Sequence, residues 1–245
     1  MARPSFEPAV EDGTGQEDTA RGEESMPENR QGERRSLPGP VETGTMSVRA
    51  LNVEGAFEFT PRIFPDERGI FASQFQESAF MEVLGGPLFP VAQMSHSRSR
   101  RGVVRGIHFT ATPPGAAKYV CCPRGRALDI VVDTRVGSPT FGCWDAVVLD
   151  PKELRSVYFP VGVGHAFVAL EDDTVMSYLL SSSYVAENEL AVSSLDPELA
   201  LPIPRDPEPI MSARDWEAPT LMEARSRGML PSYDRCQEIQ RTTRP

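Results

Sequence analysis

The sequence predicts an all-β fold, an antiparallel sandwich or barrel with a few short helices. From Ala56 onward the apolar segments are short, and Pro and Gly turn signals separate them at roughly ten-residue spacing. Several of these segments alternate as strands do. Helical patterns are scarce, and there is no heptad pattern or internal repeat.

Taken in order, residues 1–45 hold almost no large apolar side chains and carry ten acidic against five basic residues. Such a stretch buries too little apolar area to offset the ordering of its backbone, so disorder is expected there. Met46 opens the patterned part, and residues 46–205 are expected to form one domain. Ser78–Leu84, closed by Gly85-Gly86, reads as a short helix. Lys118–Cys122 reads as a strand, followed by a turn at Pro123-Arg124-Gly125-Arg126. In Ala127–Asp133, Leu128, Ile130 and Val132 fall on one face, with Asp129, Val131 and Asp133 on the other. After a turn at Gly137-Ser138-Pro139, further strands are expected at Cys143–Leu149, Arg155–Phe159, His165–Leu170 and Thr174–Leu180. Pro-rich Leu201–Pro209 reads as a tether to a tail, residues 206–245, that packs on the domain. Within the tail, Thr220–Arg227 has Pro219 before it and Gly228 after it, as a short helix should.

Composition excludes some functions. A net charge of −10 and a pI near 4.9 argue against generic nucleic-acid binding. A small anionic ligand needs only a local basic pocket. No apolar run is long enough to cross a bilayer, and the N-terminus lacks the basic-then-apolar pattern of a secretory signal. The four cysteines have no C-x-x-C spacing, and adjacent Cys121 and Cys122 would point to opposite faces of a strand. Free thiols and a cytoplasmic protein are expected.

The chemistry concentrates in Arg105-Gly-Ile-His-Phe109 and in Lys118, ten residues after the histidine. Imidazole can take and return a proton near neutral pH, and a fixed cation can hold charge left when a proton leaves carbon. Each residue also has a plainer reading. His108 could be a packed core histidine, Lys118 a solvated edge residue, and Tyr178 a core tyrosine with a bonded hydroxyl. His165, in a Gly-rich turn, reads equally as structural or as a ligand contact. His96 reads as a loop residue beside the cleft. No paired histidines flank His108, so no metal and no cofactor are expected, although His96, His108 and His165 could in principle converge on one.

In order and spacing, Phe64-Pro-Asp-Glu-Arg-Gly69, Arg105-Gly-Ile-His-Phe109, Lys118, Asp129–Arg135, Gly137–Gly142, Gly162-Val-Gly-His-Ala-Phe167, Tyr178 and Tyr184 resemble the dTDP-4-keto-6-deoxyhexose 3,5-epimerases. The resemblance runs from about Phe57 to Asp215 and is greatest to the branch serving antibiotic deoxysugar pathways. It implies a cupin-type jelly roll, a homodimer and a dTDP-sugar substrate. By resemblance His108 is the base, Asp215 the carboxylate that orients it, Lys118 the donor to the C4 oxygen and Tyr178 the acid on the opposite face. Arg68 and Arg105 would take the diphosphate, Gln93 and Ser97 would line the cleft, and Tyr184 would lie near the nucleotide. The segment Phe64–Arg68 would reach a partner subunit's site.

The chain departs from the family pattern at Thr110, where Gln is common, at Ser193-Ser-Leu-Asp196, where Trp-Asn-Asp is common, and at Ala166, where Gly is common. None of these removes a proton-transfer group, so the carbon inverted stays open. Two rival readings remain: a cupin that moves the ketone between C3 and C4, and a ligand-binding cupin without catalysis.

Overall fold

The computed structural model describes residues 39–44, 46–206 and 208–242. Its strands are β1 (Val41–Thr43), β2 (Met46–Ala50), β3 (Phe57–Pro61), β4 (Phe64–Asp66), β5 (Gly69–Phe71), β6 (Gln93–Ser99) and β7 (Val104–Thr110). They continue with β8 (Lys118–Arg124), β9 (Ala127–Asp133), β10 (Trp144–Leu149), β11 (Ser156–Phe159), β12 (Val163–Ala169), β13 (Thr174–Leu180) and β14 (Glu189–Ala191). The helices are α1 (Glu77–Leu84), α2 (Ala213–Trp216), α3 (Leu221–Ser226) and α4 (Tyr233–Thr242).

The strands pair antiparallel into a seven-stranded sheet, ordered β1-β2-β3-β11-β8-β13-β6, and a five-stranded sheet, ordered β10-β9-β12-β7-β14. Strands β4 and β5 form a separate hairpin. The two larger sheets pack face to face. Val120, Phe159 and Met176 of one meet Val131, Val147 and Phe167 of the other in a shared apolar core. This is the sandwich that the short alternating segments predict.

Both faces of β9 are buried, which the sequence pattern did not distinguish. Val131 enters the core between the sheets, while Ile130 and Val132 enter a second cluster with Leu199, Leu201, Ile203, Leu221 and Ala224. The C-terminal segments therefore cover the outer face of the five-stranded sheet. Each buried aliphatic side chain there is worth about 1.5–3 kcal/mol relative to exposure. The same region is fixed by polar contacts: Thr220 and Glu223 form a capping box on α3, and Asp196 accepts from the Leu221 amide at 2.7 Å. This packing delivers the segment that carries Asp215. On the far face of the seven-stranded sheet, α1 is anchored by Phe80, whose ring stacks on Phe59 at 4.4 Å.

Three expectations need correction. Val41–Thr43, within the stretch expected to be disordered, pairs with β2, burying Thr43; residues 1–38 of that stretch lie outside the described residues. His96 is on strand β6, not in a loop, and is exposed on the face opposite Ser95 and Ser97. Lys118 is buried, so its plainer reading as a solvated edge residue does not hold.

Candidate active site

The site lies between the sheets at one end of the sandwich. Strands β7 and β12 set His108 directly opposite His165, and a register shift follows between His165 and Phe167. Close approach there depends on Gly106, which has φ +117°; a Cβ at this position would come within 2.6 Å of the Ala166 Cα. From the facing sheet, β8 supplies Lys118 and β13 supplies Tyr178. Together with Arg105, Thr110, His165, Glu189, Gln93 and Tyr184 they line one open pocket. An adjoining cleft shares Arg105, His108 and Tyr184 and adds Arg214 and Asp215.

His108 Nε2 lies 2.6 Å from Asp215 Oδ1 and 2.7 Å from Arg214 Nη2. Burial lowers the His108 pKa below its ordinary 6.5; the hydrogen bond and charge of Asp215 pull upward, and Arg214 and Lys118 push down further. The balance favours the neutral ring. Burial alone would raise the Asp215 carboxyl, but His108, Ser212 and Arg214 more than offset it and hold it below its ordinary value. Asp215 itself is fixed in the first turn of α2, where its amide is capped by the Ser212 side chain.

Lys118 directs Nζ toward the His108 carbonyl oxygen at 3.5 Å. Burial lowers its pKa, while the charges of Glu189 and Asp129 favour the ammonium. The Tyr178 hydroxyl shares a hydrogen bond with Ser97 at 3.0 Å. Burial raises the phenol well above its ordinary range, so it stays protonated; the Ser97 bond and the Arg105 charge pull the other way. His165 forms a second histidine–carboxylate pair, with Nε2 2.6 Å from Asp129 Oδ1. Its ring is packed 4.4 Å from Phe159 and 5.9 Å from Tyr178.

Of the residues singled out in the sequence, His108, Lys118, Tyr178, Arg105, His165, Gln93 and Tyr184 line the one pocket, and Asp215 bonds His108 from the adjoining cleft. Gln93 accepts from the Tyr184 amide at 2.8 Å, which holds that mouth together. Ser97 serves through Tyr178 rather than as lining. Arg68 is not brought to this pocket. It lies on the exposed β4–β5 hairpin, ion-paired to Asp66. The sequence reading missed Glu189, which accepts from Thr110 at 2.8 Å, and Arg214 beside His108. The position of Arg214 next to Asp215 was the available signal. No group of three or more His, Cys, Asp or Glu side chains among the described residues could hold a metal ion. His96 faces away from the other two histidines.

The dTDP-4-dehydrorhamnose 3,5-epimerase family model matches residues 50–223. The chain belongs to this family. It is thereby an isomerase with a cupin-like jelly roll. It is 47% identical to the dTDP-4-dehydrorhamnose 3,5-epimerase of Mycolicibacterium smegmatis, covering 81% of this chain and 98% of the relative. It is 46% identical to the dTDP-4-dehydro-6-deoxyglucose 3-epimerase of Streptomyces bikiniensis, covering 80% of this chain and all of the relative. Among solved structures, NovW, a 4-keto-6-deoxy sugar epimerase from the novobiocin gene cluster of Streptomyces spheroides, superposes with a TM-score of 0.76 at 46% identity, covering 83% of this chain and all of NovW. ChmJ, a 3'-monoepimerase from Streptomyces bikiniensis solved in complex with dTDP-quinovose, gives a TM-score of 0.75 at 46% identity, covering 79% of this chain and 98% of ChmJ. Among the described residues no helix is long and apolar enough to cross a membrane.

Proposed function

We propose that this epimerase inverts C3, C5 or both of a dTDP-4-keto-6-deoxyhexose in an antibiotic-type deoxysugar pathway. The observation that carries the reading is one pocket with His108 on one sheet and Tyr178 and Lys118 on the facing sheet. Protons on carbons beside the C4 ketone are acidic because the carbanion delocalises onto the ketone oxygen. Neutral His108 takes such a proton, and Asp215 supports the imidazolium that results. Lys118 donates to the oxygen as enolate charge develops there, a role typically worth about 3–4 kcal/mol in a dry site. Tyr178 returns a proton from the other side. A base and an acid on opposite faces invert the carbon, whereas one group doing both would tend to restore it.

Arg105, at the junction of the two clefts, takes the diphosphate, and half-exposed Tyr184 lies against the nucleotide. Arg68, solvent-facing in its own chain, serves the pocket of a second copy in a homodimer. Relatives of nearly equal identity are named as 3-epimerases and as 3,5-epimerases, so identity does not choose the carbon. The test is incubation with dTDP-4-keto-6-deoxyglucose in deuterium oxide, followed by proton NMR at C3 and C5. Loss of signal with inversion at either carbon supports the reading and names the carbon. Migration of the ketone to C3, or no exchange with this sugar or with a 2-deoxy ketosugar, would overturn it.

A further inference from the structure

The two partners of His108 Nε2 make incompatible demands. Asp215 Oδ1, 2.6 Å away, can only accept, so it needs a proton on Nε2. Arg214 Nη2, 2.7 Å away, can only donate, so it needs a lone pair there. A neutral imidazole satisfies one of them at a time. When Nε2 accepts from Arg214, the ring proton sits on Nδ1 and no lone pair is left to act as a base. When Nε2 donates to Asp215, the lone pair is on Nδ1 and the ring is competent. The conflict sharpens once the ring has taken a proton from carbon. An imidazolium carries N–H at both positions, and an arginine 2.7 Å away would put two cations in contact.

Arg214 is the partner able to move. Its side chain is 47% exposed, against 3% for Asp215. Its remaining ion-pair contact is a longer one, 3.7 Å from Asp215 Oδ1. It borders the cleft it shares with Arg105 and Tyr184, where an anionic group would enter. The charged groups bearing on His108 are Asp215 and Arg214 from α2, Lys118 from β8 and, one residue further, the His165–Asp129 pair from β12 and β9.

Resting on the epimerase reading above, we propose that Arg214 is a positioning residue that sets the tautomer of His108. With the cleft empty, its guanidinium holds the Nε2 lone pair. A nucleoside diphosphate entering beside Arg105 draws the guanidinium to its phosphate oxygens. The ring then gives up the Nδ1 proton to water and takes one back from water at Nε2, which pairs with Asp215. Substrate binding thus arms the base.

The test uses the full chain labelled with 15N-histidine and long-range proton–nitrogen correlation spectra near neutral pH, with His108 assigned through His108→Gln. In the free protein Nε2 of His108 is expected to resonate as an unprotonated nitrogen, and on addition of dTDP as a protonated one. Arg214→Met should show the protonated Nε2 with no nucleotide present, and Arg214→Lys should restore the response. In turnover, Arg214→Met should raise KM roughly tenfold while kcat stays within about threefold. A protonated Nε2 in the free wild-type protein, no change on dTDP binding, or an Arg214→Met spectrum matching wild type would overturn the proposal. The nucleotide-free variant decides the matter even if dTDP fails to bind; that failure would count against the epimerase reading instead.

Discussion

The histidines of two histidine–aspartate pairs lie on neighbouring strands, each with Nε2 2.6 Å from a carboxylate oxygen. Their surroundings differ. His165 and Asp129 are 6% and 0% exposed, both come from the five-stranded sheet, and the imidazole is wedged against Phe159. His108 is 24% exposed and takes its carboxylate from a helix more than a hundred residues later, with the half-exposed Arg214 guanidinium alongside. On the proposed function the pairing alone does not make a base; greater exposure and a carboxylate delivered by a separate segment set His108 apart from His165. The buried pair instead braces the floor of the pocket under Tyr178 and, through the Asp129 charge, helps keep Lys118 protonated.

That contrast can be broken by substitution. His108→Ala should cost about 10³-fold or more in kcat for epimerisation, the upper part of the range for losing a general base. Lys118→Met should cost about 10²–10³-fold, in proton removal and inversion alike, because both pass through the enolate. Tyr178→Phe should slow inversion about 10²-fold but deuterium wash-in much less, since proton removal comes first. Equal losses in both would take the phenol out of its role. Asp215→Asn removes the group that raises the His108 pKa, so the acid limb of kcat/KM, already below pH 6.5, should move to still lower pH. A limb unchanged by that substitution would mean that another group sets it.

The smallest effect concerns stability. The folded pKa of His108 lies below its ordinary value, so the unfolded chain binds that proton more readily. Stability should therefore rise as pH climbs through the window below about 6.5 and gain nothing more from this group above it. Urea unfolding at about pH 5 and pH 7.5 should show a shallower rise for His108→Gln.

Much of this was legible in the sequence because it is local. The strand at Thr174–Leu180 and the core of the helix at Thr220–Arg227 follow from alternation, capping and turn residues, and the structure has β13 over the same residues and α3 within that span. The sheet each strand joins is a long-range choice. Lys118 and Ile130 lie on strand-like segments separated by a single turn, yet they belong to different sheets and different layers. Glu189 and Arg214 were hidden for the same reason: an acidic residue after a short turn and a basic residue in a polar tail look solvated until β14 pairs with β7 and α2 docks on it. Asp215 was reachable only through family resemblance, since no spacing rule links it to His108.

The most direct test of the central claim is deuterium wash-in from the ketosugar, measured side by side for His108→Gln and His165→Gln at equal enzyme and saturating substrate. His108→Gln should show no exchange above background and His165→Gln readily measured exchange, the loss in the second falling mainly on thermal stability. Exchange that survives in His108→Gln and vanishes in a folded His165→Gln would assign the base to the wrong pair and contradict that claim.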